Sequence, residues 1–435
     1  MRVLLISTYE MGRQPFGLAS PAAWLAAEGH QVACVDLCVE SLPLDKVAAA
    51  ELVAFYLPMH TATRLAAQVI EKIRRLNPAA HLCCYGLYAP LNESYLRSLG
   101  VKTILGGEFE PGLVALANGM DAGPLISLDR LQFLAPLRSA LPALKDYAHL
   151  RINGIAKTAG YTEASRGCKH LCRHCPVVPV YQGTFRVVQQ DVVLEDIRRQ
   201  VAAGAQHITF GDPDFFNGPT HAMRIVEAMH AEFSDLSYDA TIKIEHLRNH
   251  RDLLPRLKQT GCLFVTSAVE SVDDAVLEKL DKGHTRADFV EVVREFRSAG
   301  LTLAPTFIAF TPWTTRESHR DLLATLLELD LVEHVAPIQL ALRLLIPRGS
   351  RLRELDEVQS VITGLDEPGL LYRWKHPDGA MDVLAEQALK LAARKASRRE
   401  VFQKMWELVA DRPLPENFDL MPRATIPYMD EPWYC

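Results

Sequence analysis

Short apolar runs alternate with amphipathic stretches of helical length, and this alternation constrains the fold most strongly. Through residues 1–120 each apolar run has the length of a strand, and the stretches between runs repeat their apolar residues at helical spacing. Because parallel strands need a helical crossover between them, this order predicts a doubly wound, Rossmann-like α/β domain. The predicted strands are Arg2–Ser7, Gln31–Leu37, Leu52–Leu57, His81–Tyr85 and Thr103–Leu105, and the predicted helices are Ala19–Glu28 and Thr63–Leu76.

Residues 121–156 have weak periodicity and are predicted to be a connection. The alternation then resumes with a longer period over residues 157–351. Six strand-helix units in this length predict a partial (β/α)6 barrel. The residues of its functional site are expected at the carboxyl ends of the strands. The predicted strands are Thr162–Ser165, His207–Gly211, Tyr238–Glu245, Cys262–Glu270, Thr302–Phe310 and Val335–Leu345, and the first two predicted helices are Val192–Ala203 and Thr220–Phe233.

Residues 352–435 are predicted to form a helical extension that ends in a flexible tail. One long amphipathic helix is predicted over Met381–Val409. Its basic residues are interpreted as a solvated helix face, since charge runs usually are. They are Lys390, Arg394, Lys395, Arg398 and Arg399.

Charge and hydropathy exclude two classes of function. Lys and Arg number 47 and Asp and Glu 53, so the formal charge is −6, which gives no support for binding to nucleic acid or an anionic membrane surface. No apolar run reaches the ~18 residues that cross a bilayer, and the apolar start is too short for a signal peptide. We expect a cytoplasmic enzyme that acts on a small molecule.

Three of the nine cysteines have the spacing of ligands. Cys168, Cys172 and Cys175 form C-x3-C-x2-C directly after a predicted strand. Three thiolates on one loop can hold three irons of a [4Fe-4S] cluster and leave the fourth iron open to a small molecule. A structural zinc loop is the alternative, with His170, His174 or a distant residue as fourth ligand. A non-catalytic iron-sulfur electron carrier is a further alternative, although its cluster normally takes four thiolates.

This cysteine motif resembles the signature of the radical S-adenosylmethionine (SAM) superfamily. The resemblance implies that the amino and carboxylate groups of SAM chelate the open iron, and that one electron breaks a carbon–sulfur bond of SAM to give a carbon radical. It also implies a small electron donor such as flavodoxin or ferredoxin. Which bond breaks depends on the orientation of SAM over the cluster.

The same resemblance implies residues that contact SAM. The segment Gly211, Asp212, Pro213 and Asp214 stands where the family places its Gly-Gly-Glu contact to the amino group. Glu270 and Ser271 take the ribose-contacting position, and His174 stands where an aromatic residue usually lies beside the adenine. Polar residues interrupt two apolar runs, one at Lys243, Glu245 and His246 and the other at Arg343. Lys243 and Arg343 are therefore candidates for binding the SAM carboxylate.

Each of these residues also has a structural interpretation. Asp212 could cap a helix that begins near Pro219, and Glu270 could pair with Lys279 or Lys282. Lys243 and Arg343 could form salt bridges without a catalytic role.

Further stretches resemble a narrower group, the radical SAM proteins with a Cys-Cys-Ala-Glu-Pro or Cys-selenocysteine-Ala-Glu-Pro tail. This group includes the enzyme of arsinothricin biosynthesis. The resemblance implies transfer of the 3-amino-3-carboxypropyl group of SAM to trivalent arsenic, giving hydroxyarsinothricin, and it makes Cys435 the first candidate to deliver arsenite. The sequence stops at Cys435, where that tail would begin, and one hypothesis is a selenocysteine codon at that point. The stretches are residues 57–63, 166–181, 211–218, 241–247, 305–315 and 372–378.

The N-terminal domain resembles the cobalamin-binding module that is often fused to radical SAM barrels. This resemblance implies cobalamin as a second cofactor and favours a rival function, which is methyl transfer through methylcobalamin. The Asp-x-His-x-x-Gly motif of that module, which supplies the cobalt ligand, is missing from the chain.

Overall fold

The computed structural model describes residues 1–410, 413–415, 418 and 427–430. The N-terminal part is a parallel sheet of six strands in the order β2-β1-β3-β4-β5-β6, with helices on both faces. Its strands are β1 Arg2–Ser7, β2 Gln31–Asp36, β3 Leu52–Tyr56, β4 His81–Tyr85, β5 Thr103–Gly107 and β6 Ile126–Ser127. Its helices are α1 Phe16–Ala27, α2 Leu44–Ala49, α3 His60–Leu76, α4 Tyr88–Leu91, α5 Glu93–Ser98 and α6 Glu110–Ala117.

Both faces of this sheet are covered, as a doubly wound fold requires. Along β1, Leu4 and Ile6 pack into one hydrophobic cluster, and Val3 and Leu5 pack into the cluster on the opposite face. Successive side chains of a strand point to opposite faces, so both sets of apolar residues are buried. The predicted α/β class is confirmed.

The second sheet has seven strands in the order β14-β13-β12-β11-β8-β7-β17, of which β8 and β11 to β14 are parallel. The remaining strands are β7 His149–Ile152, β8 Ile155–Thr162, β9 Ser165–Gly167, β10 Phe185–Val187, β11 His207–Phe210, β12 Ser237–Thr241, β13 Cys262–Glu270, β14 Thr302–Phe307, β15 Ile362–Asp366, β16 Leu371–Trp374 and β17 Tyr428–Met429. The remaining α-helices are α7 Val178–Tyr181, α8 Gln190–Ala202, α9 Pro219–Glu232, α10 Ile244–Asn249, α11 Leu254–Gln259, α12 Asp274–Leu280, α13 Arg286–Ala299, α14 Arg316–Glu328, α15 Asp356–Val361, α16 Gly379–Ala392 and α17 Arg398–Val409.

Four predicted strands of the barrel differ from the structure. The strand predicted over Thr162–Ser165 is wrong, because β8 ends at Thr162 and β9 begins at Ser165, and the strand predicted over Thr302–Phe310 already ends at Phe307. The strand predicted over Val335–Leu345 is wrong, because Pro337–Leu340 forms a 3₁₀ helix and Arg343 makes only an isolated bridge to Phe310. The edge N–H of Phe307 is instead satisfied by the side chain of Gln339 at 3.0 Å. The third predicted strand is too long, since β12 ends at Thr241 and α10 follows.

The C-terminal region contains two helices where one was predicted. Ser397 caps α17 and forms a capping box with Glu400, so the chain leaves the helical path between α16 and α17. The basic run is not wholly a solvated face, because Arg398 donates to the backbone oxygen of Glu333 and Arg399 pairs with the Glu333 carboxylate at 3.1 Å. The hairpin β15–β16 was not predicted. The proposed boundaries at residues 120, 156 and 351 remain predictions.

No helix in the ranges given above combines the length and apolar character needed to cross a lipid bilayer.

Candidate radical SAM site

The cysteine loop lies between β9 and α7, at the carboxyl end of the first parallel barrel strand. Cys168, Cys172 and Cys175 are free thiols. Cys168 and Cys175 pack on an apolar cluster to which the N-terminal domain contributes Leu87 and Leu91. Burial raises the pKa of Cys168 to about 11 and that of Cys175 to about 12, so a metal has to displace these protons when it binds.

The three sulfurs do not form a compact site for one ion. Across the described ranges, the group of three His, Cys, Asp or Glu ligand atoms that approach one another within 4.8 Å comprises His170, Asp214 and His246, without any of the cysteines. A tetrahedral zinc needs its sulfurs in direct contact around one small ion, whereas a cubane spreads them over three irons. The cysteine loop therefore fits a [4Fe-4S] cluster better than a zinc ion.

Glu270 ends β13 in a strained backbone conformation with φ 71°, next to an irregularity in the pairing of β13 with β14. Its Oε1 lies 3.1 Å from His174 Nε2 and 3.5 Å from Lys282 Nζ. Burial alone would raise the pKa of Glu270, but Lys282 and His174 outweigh it and lower that pKa to about 2. The interpretation of Glu270 as the partner of Lys282 is thus confirmed, while Lys279 pairs with Glu357. Ser271 Oγ accepts from the backbone N–H of Asp273 at 3.0 Å.

The segment after β11 places its two aspartates in different surroundings. A Cβ at Gly211 would lie 2.0 Å from the Tyr161 hydroxyl, so only glycine fits there. Asp212 does not cap α9. Its two oxygens accept from the backbone N–H of Ala164 at 2.9 Å and from Ser165 Oγ at 2.6 Å, and burial raises its pKa to about 7. Asp212 thus holds the turn before β9, and Pro213 lines the cavity beside it.

Asp214 faces two histidines, His170 from the cysteine loop and His246 from α10. Asp214 Oδ2 lies 2.7 Å from His246 Nδ1 and 3.9 Å from His170 Nε2. Lys243, the residue before α10, donates to Glu245 Oε2 at 2.9 Å and lies 3.0 Å from His170 Nδ1. Burial and the neighbouring Lys243 lower the pKa of His170 to about 4.

Two predicted residues are not part of this arrangement. Arg343 pairs with Asp382 at 2.6 Å, donates to the backbone oxygen of Trp374 and stacks on that ring at 3.7 Å, so its donors are directed to the C-terminal extension. Cys435 lies outside the described residues. Sequence reasoning missed the loop after α12 as part of the site. Its Lys282 was considered only as a structural partner, and its buried His284 was not considered at all.

A buried charge cluster links the N-terminal domain to the barrel and was also missed. Arg166 donates to Glu110 at 2.7 Å, to Glu163 at 2.9 Å and to Glu108 at 3.3 Å. Its guanidinium lies 4.9 Å from the Phe109 ring centre. Burial raises the pKa of Glu108 to about 7, although Arg166 opposes this shift.

Replacing Glu270 with glutamine should destabilise the protein, because it leaves Lys282 buried without a countercharge. We expect the free energy of unfolding at neutral pH to fall by about 3 kcal/mol in urea titrations. The Glu270 pKa is lowered from 4.5 to about 2, so this stabilisation is fully present above pH 4.5 and is lost as pH falls towards 2. The difference between variant and wild type should therefore shrink over that range. A difference that does not change with pH would contradict the assigned ion pair.

Residues 162–326 match the family model described as the Radical SAM superfamily. The chain therefore contains a radical SAM domain, which implies a [4Fe-4S] cluster and SAM as cofactors.

Curated relatives match over less than half of the chain. The hopanoid C-3 methylase of Methylococcus capsulatus is 27% identical over 203 residues, which are 47% of this chain and 38% of that protein. The tRNA-2-methylthio-N(6)-dimethylallyladenosine synthase of Desulfosudis oleivorans is 28% identical over 186 residues, which are 40% of this chain and 38% of that protein. The chain thus spans well under half the length of these relatives.

Two solved structures share the fold over most of the chain. The cobalamin-dependent SAM radical enzyme OxsB with aqua-cobalamin bound has a TM-score of 0.66 at 13% identity, covering 88% of this chain and 66% of OxsB. The radical SAM methyltransferase TsrM of Kitasatospora setae has a TM-score of 0.64 at 16% identity, covering 91% of this chain and 90% of TsrM. This likeness confirms the predicted order of folds, a doubly wound α/β domain followed by a partial barrel.

Aromatic side chains border a cavity at the carboxyl ends of the N-terminal strands. Tyr56, Tyr85 and Phe109 pack there with ring centres 4.8 to 6.1 Å apart and ring planes tilted by 35 to 55°. The cavity beside Arg166 measures about 190 Å³. It adjoins a cavity of about 430 Å³ in the barrel, and Tyr161 lines both.

Proposed function

We propose that the protein is a radical SAM transferase with a cluster held by Cys168, Cys172 and Cys175. The cluster and SAM together supply a carbon radical by one-electron cleavage of a carbon–sulfur bond. The observation that carries the proposal is the loop of three free cysteines beside Glu270, at the carboxyl ends of the barrel strands. Ligands of barrel enzymes bind at that end.

The surrounding residues suit the binding and shielding of SAM. Glu270 presents a carboxylate that can accept from ribose hydroxyls, and His174 beside it can border the adenine. Lys282 is buried within the electrostatic reach of Cys172 and Cys175, so we assign the SAM carboxylate to Lys282 in preference to Arg343. Leu87 and Leu91 of the N-terminal domain pack against Cys168 and Cys175 and so cover part of their surface.

We further propose that the group transferred is 3-amino-3-carboxypropyl and that the acceptor is arsenite, giving hydroxyarsinothricin. Cleavage at the methionine γ-carbon takes up one electron and releases methylthioadenosine. Addition of the carbon radical to trivalent arsenic gives a tetravalent species, and loss of one electron from it gives the pentavalent product. The electron is thus returned, and no net reductant is consumed.

The barrel cavity has room for a small substrate. A cavity of about 430 Å³ is lined by Gly211 and Pro213 on one side and by Tyr428 and Met429 on the other. The strand β17 is anchored there, because Asp430 pairs with Arg151 at 2.5 Å. Trivalent arsenic is thiophilic, so a thiolate is the kind of group that would carry it to the cavity.

Product analysis tests the proposal. The anaerobic protein with its cluster reconstituted is incubated with SAM, dithionite and arsenite, and the nucleosides are separated by chromatography. We expect methylthioadenosine together with an arsenic-containing amino acid. Production of 5′-deoxyadenosine alone would mean that the protein has radical SAM activity but does not transfer the aminocarboxypropyl group. No consumption of SAM would reject both and favour an electron carrier.

Methyl transfer through cobalamin is a second candidate, favoured by the likeness of fold to OxsB and TsrM. It requires space for a corrin, whereas the cavity beside Tyr56, Phe109 and Arg166 measures about 190 Å³. We expect that hydroxocobalamin mixed with the protein separates from it on gel filtration, as read from the cobalamin absorbance. If one equivalent of cobalamin stays with the protein and S-adenosylhomocysteine is produced, methyl transfer replaces the first proposal.

A further inference from the structure

Three potential metal ligands converge beside the cysteine loop but are distinct from the cysteines. His170 comes from that loop, Asp214 from the turn after β11, and His246 from α10. One ligand atom from each lies within 4.8 Å of the others. His170 Nε2 is also 3.0 Å from His246 Nε2. Three elements that are distant in sequence thus bring two imidazoles and one carboxylate to one point.

Two of these ligand atoms are buried and unpartnered. The side chains of Asp214 and His246 are each 3% exposed. Asp214 Oδ2 and His246 Nδ1 lie 2.7 Å apart, yet neither atom has a hydrogen-bond partner. A buried polar atom without a partner costs about 1–3 kcal/mol, and the cost is higher for a charged group. A cation between them would satisfy both atoms.

The residues around the three ligands can orient them. Asp214 uses its other oxygen, Oδ1, to accept from the backbone N–H of Phe216 at 3.1 Å. Lys243 Nζ donates to Glu245 Oε2 at 2.9 Å and lies 3.0 Å from His170 Nδ1, so this pair holds the His170 ring in place. Gly283 leaves room for this pair, since a Cβ at that residue would lie 2.6 Å from Glu245 Oε2.

We propose that His170, Asp214 and His246 bind one divalent first-row transition-metal ion, Zn²⁺ or Fe²⁺, at a site separate from the cluster. Two imidazoles and one carboxylate are the donors that such ions take, and the remaining coordination positions stay open. The ion connects the cysteine loop to the barrel through His170. Asp214 is then a metal ligand and not a contact to the amino group of SAM. The inference is independent of the proposed function.

Cobalt binding tests this site without interference from the cluster. The full chain carrying Cys168→Ser, Cys172→Ser and Cys175→Ser is titrated anaerobically with Co²⁺, and the visible absorption of the ion is recorded. We expect one equivalent to bind with the bands of nitrogen and oxygen ligands and without sulfur charge-transfer absorption. Adding His246→Ala or Asp214→Asn should weaken binding by at least ~10-fold. His230→Ala, on a histidine in the last turn of α9, is the matched control and should change nothing.

A second measurement uses the protein with its cluster in place. After reconstitution and addition of Zn²⁺, zinc and iron are counted by mass spectrometry in wild type and in His246→Ala. We expect the variant to lose the zinc and keep the iron, which also shows that it is folded. Equal zinc in both proteins, or no cobalt absorption in the chain that lacks the three loop cysteines, overturns the proposal.

Discussion

Replacing Cys172 with alanine abolishes reductive cleavage of SAM, and the purified protein is expected to lose its bound iron after reconstitution. A cubane with one open iron needs all three thiolates. Cys172 is buried and is the middle cysteine of the loop. We expect SAM turnover to fall by at least ~10³-fold, because groups that act as a unit fail together. Iron analysis and chromatography of the nucleosides measure the two effects.

A matched control is Cys262→Ala. Cys262 is also a buried free thiol, but it begins β13, at the end opposite to Glu270. We expect this variant to keep its iron and its SAM cleavage and to lose only about 1 kcal/mol of stability. Full iron content in Cys172→Ala, or equal loss of iron in both variants, would contradict the assignment of the cluster to the cysteine loop.

Replacing Arg166 with methionine is expected to cause the largest loss of stability. Methionine keeps much of the apolar stem but removes the charge that compensates Glu108, Glu110 and Glu163. Leaving buried carboxylates without a partner costs about 3–5 kcal/mol. We expect a correspondingly lower midpoint in urea denaturation, together with earlier separation of the N-terminal domain from the barrel.

Arg198→Met is the control for this prediction, because Arg198 pairs with Glu232 at the surface. Surface ion pairs contribute little, so its midpoint should equal that of wild type. Adding Glu110→Gln to Arg166→Met should restore part of the loss, since one buried charge is removed. If Arg166→Met unfolds at the urea concentration of wild type, the cluster does not hold the two parts together.

The sequence predicted most of the regular elements because their apolar runs are bounded by amphipathic helices. The end of β12 was misplaced because Ile242 and Ile244 continue the apolar run into α10, and a short run cannot distinguish strand from helix. The sixth strand failed for a tertiary reason, which is that Gln339 replaces a backbone partner of β14.

The spacing of the three cysteines predicted their loop, and the ends of predicted strands pointed to Glu270 and Lys243. The role of Lys282 was not predictable, because it reaches the site only through the packing of the loop after α12. The Arg166 cluster joins residues 56 to 58 positions apart in the chain, and nothing in the local pattern indicates that they meet.

The central claim is an open iron on a cluster held by the cysteine loop, and electron paramagnetic resonance of the reduced protein tests it most directly. Anaerobic wild type is reconstituted, reduced with dithionite and measured with and without SAM. We expect the signal of a reduced [4Fe-4S] cluster whose g-values shift when SAM is added, because SAM binds the open iron. A signal that SAM leaves unchanged, or protein that takes up zinc and no iron at these cysteines, would contradict the account.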